Sequence, residues 1–352
     1  ASDVEWRMAR YGTACMCLRL RHAAPVPLDK ARVSACGRFL VTGGLGGLGI
    51  VTAEALVELG ATSIVLASRS GKIKYDGQGL QERLDALRAS GATIVIEQCD
   101  TADEQQVIEL LERVRCGGYG PLRGVVHAAG VLSDSMLRSQ NEESIRRVVE
   151  PKAMGAWYLH KHTTDDALDI FMTYSSVASL FGNVGQANYS AANAFLDELV
   201  RWRVSQGLCG VSVQWPAVSG VGMAASMDER VAISDSMSID VRTVKQVVQQ
   251  LVSSSRLDSD PVQAVLPRGM LEVGAMPKQH FGSLLSSVKV HSVSTGKRSS
   301  RSRGSQAKSK HSQRSNRQPQ HQSSVFQGMN ADERETFIRN ETTRLVMELL
   351  GA

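Results

Sequence analysis

Thr42-Gly43-Gly44-Leu45-Gly46-Gly47-Leu48-Gly49 follows a short apolar run and opens an amphipathic one. Glycines at these steps permit a tight turn and let the backbone come close to a ligand. The helix that follows offers free N–H groups and the positive end of its dipole. That combination binds a pyrophosphate, so Thr42, Gly43, Gly44, Gly46, Gly47, Leu48 and Gly49 are read as the dinucleotide turn. The next apolar run ends in Ala67-Ser68-Arg69-Ser70. An acid at that point would grip the ribose hydroxyls of NADH and repel a 2′-phosphate, whereas Arg69, beside Ser68, attracts the phosphate and predicts NADPH. Cys99-Asp100 closes a third run, where the carboxylate can accept the adenine amino group. His127-Ala128-Ala129-Gly130 closes a fourth, where small residues let a cofactor lie flat. A second set lies downstream. Tyr189 and Asn193 are four apart and share one helical face, Ser176 stands thirteen residues before Tyr189, and Lys152 lies upstream in Pro151-Lys152-Ala153.

These residues need a scaffold. Between residues 38 and 270 short β-rich runs alternate with amphipathic stretches. The runs are Arg38–Val41, Ser63–Ala67, Thr93–Glu97, Gly124–His127, Asp169–Tyr174, Val211–Trp215 and Val262–Leu266. Helical patterns cover Gly47–Leu59, Glu104–Arg115, Glu142–Lys161, Asn188–Gln206 and Val241–Val252. Strand and helix in alternation predict an α/β fold, a Rossmann-like doubly wound parallel sheet. One further strand is expected around Thr13–Leu20.

Composition narrows the class. The 352 residues are 42% hydrophobic and 21% charged, ordinary for a globular chain with one large core or two modest ones. No apolar run reaches the length of about 18 residues that a membrane-spanning helix needs. The six cysteines form no CxxC pair and have no clustered histidines. Neither a metal site nor a disulfide framework is expected, and the default compartment is reducing, intracellular and cytoplasmic. The net charge of +5 is uneven. Val273–Ala331 holds ten Lys and Arg and no acid, so that window carries +10 and the remainder −5. Its Ser, Gln and Lys/Arg content with few aliphatics predicts a disordered basic linker over 276–328. Asn330 with Glu333 reads as a capping box, and Ile338, Thr342, Leu345 and Leu349 fall on one helical face. The start at Ala1 rather than Met suggests a fragment of a longer polypeptide.

The segments TGGLGGLG, LASR, HAAGVL, PKAMGAWYLH, YSSVASLFG and GQANYSAANAFLD together resemble the ketoreductase domains of modular polyketide synthases, within the short-chain dehydrogenase/reductase superfamily. The resemblance covers roughly residues 36–270. In the common superfamily pattern a Lys stands four after the Tyr. Here Asn193 holds that place and Lys152 sits upstream, as in polyketide and fatty-acid ketoreductases. The resemblance implies NADPH-dependent reduction of a carrier-bound 3-ketoacyl thioester to the 3-hydroxyacyl thioester. It implies that Tyr189 donates the proton, Ser176 holds the developing oxyanion, Lys152 favours the phenolate, and Asn193 helps hold Lys152 and a proton relay; Ser175 is given a supporting part. It implies a domain organisation and partners as well. Residues 1–37 are expected to be the remnant of a non-catalytic half, 38–275 the catalytic domain, and 329–352 the first helix of a truncated acyl carrier domain. The expected partners are an acyl carrier domain bearing a phosphopantetheine-linked ketoacyl substrate and other domains of the same synthase, with no membrane and no specific nucleic acid.

Stereocontrol is expected from Asp134, in Leu132-Ser133-Asp134, and from Phe181, which stands eight before Tyr189 where the opposite class carries Trp. Both point to a D-alcohol. Met223, in Gly220-Val221-Gly222-Met223, resembles the start of a lid over the substrate. The competing readings are a catalytically idle NADPH-binding structural domain, a stand-alone reductase of small ketones, and a binder of nucleic acid or acidic membrane through the basic tail. The intact constellation, the displaced lysine and the lack of aromatics along the tail speak against them in that order.

Overall fold

The computed structural model describes residues 8–11, 14–17, 37–118, 120–226, 235–253, 261–267 and 270. The expected linker at 276–328, the expected carrier helix at 329–352 and most of 1–37 lie outside the described residues. What is described of 1–37 is an antiparallel pair, β1 (Met8–Tyr11) and β2 (Ala14–Cys17), where the sequence predicted one strand.

Seven strands form one parallel sheet. They are β3 (Arg38–Thr42), β4 (Ser63–Ser68), β5 (Thr93–Gln98), β6 (Leu122–His127), β7 (Ile170–Ser176), β8 (Val211–Trp215) and, after the two-residue β9 (Ala217–Val218) and β10 (Ser238–Ile239), β11 (Val262–Ala264). Their spatial order is β11-β8-β7-β6-β3-β4-β5. Helices cover both faces, and β3, β4 and β5 accordingly carry continuous apolar runs rather than alternating ones. Successive side chains go to opposite layers. Phe39, Val41, Ile64 and Leu66 pack with α1 (Gly47–Glu58), α2 (Leu80–Ala89) and α9 (Val241–Ser253). Leu40, Val65, Val125 and Phe171 pack on the other side with α3 (Glu104–Cys116) and α5 (Gly155–Lys161).

The strand order reverses between β3 and β6, and there the carboxyl ends open a crevice. Thr42 ends β3 opposite His127 on β6, and Ala128 N donates to the Thr42 carbonyl at 3.0 Å. Two helices bring the second residue set to the same edge. α7 (Ala187–Ser205) carries Tyr189, Asn193 and Asp197 on one buried face. The single helix expected over Glu142–Lys161 is interrupted: α4 (Glu142–Val149) passes into a five-residue π turn, Glu150–Met154, before α5. Pro151, with no N–H to donate, sits in the first turn of that segment and accounts for the break. The short helices α6 (Val177–Phe181) and α8 (Gly222–Ala225) flank the crevice.

Candidate active site

The dinucleotide turn is shaped by its missing side chains. Gly43 adopts φ +67°, and a Cβ on it would lie 2.7 Å from Ala129 N and 2.8 Å from the Ala128 carbonyl oxygen. That Cβ would fill the space between the turn and the strand that closes the crevice. A Cβ on Gly49 would lie 2.3 Å from the Gly43 carbonyl oxygen, so the helix can pack on the turn only with glycine there. Gly46 caps α1 without a side-chain acceptor, and no acid occupies the first turn. The first N–H groups are therefore left for an anion. This cradle fits a dinucleotide pyrophosphate. Arg69 lies exposed just past β4, while the Ser68 hydroxyl accepts from Gly71 N at 3.1 Å. Asp100 is half-buried after β5, with one carboxylate oxygen accepting from Ala102 N at 3.1 Å. Ala128, Ala129 and Gly130 line the crevice floor as half-buried residues.

The catalytic candidates converge beside that floor. Lys152 is 3% exposed. Its Nζ donates to the Tyr174 carbonyl at 2.8 Å and lies 5.4 Å from the centre of the Tyr189 ring. A Cβ on Gly130 would come within 3.0 Å of the Lys152 Cε, so Gly130 leaves the lysine its slot. Burial lowers the Lys152 pKa to about 8, against the opposing pull of the Asp197 carboxylate. The Tyr189 phenol is pushed upward by burial, with Asn193 and Ser176 acting to lower it and the Asp134 carboxylate to raise it. Burial therefore outweighs the two hydrogen bonds from Asn193 and Ser176 that act to lower it. The same balance puts Asp134 within electrostatic reach of the phenol.

Asn193 is fully buried and donates through Nδ2 to the Tyr189 carbonyl at 2.8 Å. Its Oδ1 has no hydrogen-bond partner among the described residues. Lys152 thus bonds to Tyr174 rather than to Asn193, and the Asn193 acceptor stays available to a proton carrier. Ser176 caps α6, accepting from Ala178 N at 3.1 Å. Ser175 donates to the Asn193 carbonyl at 3.2 Å. Asp134 accepts from Gln186 Nε2 at 2.9 Å, and Ser135 N donates to the Gly185 carbonyl at 2.9 Å. These bonds stitch the loop after β6 to the turn that leads into Tyr189. Phe181 ends α6 half-buried, and Met223 lies half-buried in α8.

Three groups take parts that the local sequence did not assign. Asp197 is a buried carboxylate that accepts from Ser179, Ser212 and Gln214, at 2.8, 2.7 and 2.8 Å. Gln78 clasps the peptide of Gly222, accepting from its N–H at 2.7 Å and donating to its carbonyl at 3.2 Å. His127 bridges Thr42 and Lys152. Asp197 alone had a local signal, since it continues the Tyr189–Asn193 spacing by four residues.

The KR domain family model matches residues 37–220, more than half of the chain and all of the site just described except Gly222 and Met223. The chain belongs to the KR domain family. It is 40% identical over 211 residues to a mycocerosic acid synthase-like polyketide synthase of Mycobacterium tuberculosis, covering 60% of this chain and 10% of that protein. It is 43% identical over 204 residues to a naringenin synthase of Pestalotiopsis fici, covering 57% of this chain and 7% of that one. The KR chain thus spans about a tenth of these curated relatives or less. Among solved structures it is similar to A-type ketoreductases from a modular polyketide synthase, with TM-score 0.62 and 33% identity, covering 71% of this chain and 51% of that one. It is also similar to the first ketoreductase of the tylosin synthase, with TM-score 0.58 and 30% identity, covering 73% and 55%. The chain is accordingly a KR domain of the polyketide-synthase type, with the fold of the solved ketoreductases. No helix among the described residues is long and apolar enough to cross a membrane.

Proposed function

We propose that this KR domain reduces a 3-ketoacyl thioester, held on an acyl carrier arm, to the 3-hydroxyacyl thioester with NADPH, giving the D-alcohol. The observation that carries the reading is the Tyr189 phenol at the crevice, influenced by Ser176 and with the buried Lys152 ammonium 5.4 Å from its ring centre. When bound, the reduced nicotinamide supplies the hydride. The glycine turn and the start of α1 would hold the pyrophosphate, Arg69 the 2′-phosphate and Asp100 the adenine. Tyr189 holds a proton on its phenol, since burial raises its pKa, and gives it to the ketone oxygen as charge develops there. The Ser176 hydroxyl donates to that oxygen and stabilises the charge. The Lys152 ammonium lowers the cost of the phenolate left behind. Asn193 Oδ1 offers an acceptor through which the phenolate regains a proton. Asp134, fastened by Gln186, and Phe181 border the entry and favour the face that gives the D-alcohol. Met223 borders the substrate from α8. The 38–275 segment is the catalytic unit in this reading.

The test is NADPH consumption with an N-acetylcysteamine 3-ketoacyl thioester, with the configuration of the product determined. The expected products are NADP and the D-3-hydroxy thioester. Tyr189→Phe removes the proton donor and little volume, so turnover is lost while NADPH still binds. Full turnover in that variant sends the donor role elsewhere, and an L-alcohol refutes the part given to Asp134 and Phe181.

A further inference from the structure

Lys152 leaves the backbone from the π turn Glu150–Met154, and two side chains from other elements hold that turn. A π turn widens the helix by one residue and breaks the regular ladder, so carbonyls in it are free to accept from elsewhere. The Thr101 hydroxyl, from the loop after β5, donates to the Pro151 carbonyl at 2.8 Å. His127 Nε2, at the end of β6, donates to the Lys152 carbonyl at 2.8 Å. A Cβ on Gly155 would come within 2.9 Å of Thr101 Cβ and 3.1 Å of His127 Cε1, so the end of the turn rests on both side chains.

His127 is fully buried, and its other ring nitrogen, Nδ1, lies 2.7 Å from the Thr42 hydroxyl. Burial and the Lys152 ammonium drive its pKa down to about 3, so the ring is neutral. A carbonyl only accepts, hence Nε2 carries the proton and Nδ1 accepts from Thr42. One tautomer therefore joins the first residue of the dinucleotide turn to the backbone of the lysine. The Lys152 side chain has little slack to absorb a shift of that backbone. Its Cε passes close to Gly130, and its Nζ ends on the Tyr174 carbonyl.

We infer that His127 and Thr101 are positioning residues for Lys152: they pin the π turn that delivers its ammonium beside Tyr189, and His127 keeps that delivery in register with Thr42. The inference rests on the ketoreductase reading for the part played by Lys152, while the pinning itself is a property of the chain.

The experiment uses the full chain with His127→Phe, His127→Gln and Thr101→Val. Phe keeps a ring and removes both hydrogen bonds, Gln restores a donor and an acceptor, and Val removes only the hydroxyl. A displacement of the ammonium of about 1 Å predicts a loss in kcat of roughly tenfold to a hundredfold for His127→Phe, with KM for the thioester little changed. His127→Gln regains most of it, and Thr101→Val loses kcat in the same pattern but less. NADPH affinity, followed by nicotinamide fluorescence, stays near wild type for Thr101→Val. Unchanged kcat in folded His127→Phe overturns the inference. If that variant does not fold, unchanged kcat in Thr101→Val does so. A second readout is independent of turnover: an amine-directed reagent, mapped by mass spectrometry, labels Lys152 slowly in wild type and faster once the pin is removed. If the wild-type chain reduces no thioester, the ketoreductase reading fails and the labelling alone decides; unchanged labelling of Lys152 in Thr101→Val then overturns the pinning.

Discussion

Raising the pH should silence this site at the lysine before the tyrosine. Lys152 is held near pKa 8 by burial, against 10.5 for a free side chain. The Tyr189 phenol is pushed above its usual 10, so the proton donor stays loaded through the same range. If the ammonium must be charged for Tyr189 to release its proton, kcat/KM falls with the protonated fraction of Lys152. For a pKa near 8 that fraction is roughly a tenth at pH 9, whereas an ordinary lysine would still be almost fully charged there. The assay is the initial rate of NADPH oxidation with a ketoacyl thioester from pH 6 to 10, with substrate well below KM. Asp197 provides the internal control, because its carboxylate is the opposing charge that raises the Lys152 pKa. Asp197→Asn removes the charge at nearly constant volume. Ser212 can still donate to the new amide oxygen, while Gln214 must turn over its own amide. The alkaline limb should move to lower pH in that variant. Rates that stay flat from pH 7 to 10, or a limb that Asp197→Asn leaves in place, would refute the assignment of the limb to Lys152.

Three further outcomes are expected. Arg69→Asp should erase or invert a preference for NADPH over NADH of at least about tenfold, as expected for one charged contact to a phosphate, read as the ratio of kcat/KM for the two dinucleotides. Gly43→Ala puts a side chain at φ +67° and 2.7 Å from Ala129 N, so dinucleotide binding by titration and the melting temperature should both fall; the strain alone amounts to about 1–2 kcal/mol. Acid should unfold the domain in step with its buried histidines, because His127 has its pKa lowered from 6.5 to about 3. The unfolded chain then takes up a proton that the folded one refuses, so the contribution is whole above pH 6.5 and shrinks by up to about 1.4 kcal/mol per pH unit below it. His160, lowered to about 4 by burial and Arg203, acts with the same sign. Denaturant midpoints that hold constant from pH 7 to 4 would contradict this.

Much of the scaffold was written locally. The seven sheet strands lie within two residues of their apolar runs. In β3, β4 and β5 the run is continuous, because a parallel strand covered on both faces needs no alternation. The glycine turn was legible because only glycine tolerates the φ of Gly43 and the approach of Gly49 to Gly43. The Tyr189–Asn193 pair was legible because a four-residue spacing is a helical face wherever the helix goes. α2 went unread although Leu80, Leu84 and Leu87 carry its buried stripe. The unbroken helix expected over Glu142–Lys161 failed at Pro151, where propensity on either side masked the loss of one N–H. The contacts that tune the site were beyond local reading. The carbonyl of Tyr174 under the Lys152 ammonium, the His127 bridge from Thr42 to Lys152, and the Gln78 clasp on Gly222 join residues 22 to 144 positions apart. All three end on backbone carbonyls, which every residue possesses and no sequence pattern marks. Which carbonyl faces which side chain is decided when β3 and β6 become neighbours and a π turn sets Lys152 over their ends, and that follows from the order of strands in space rather than from the order of residues in the chain.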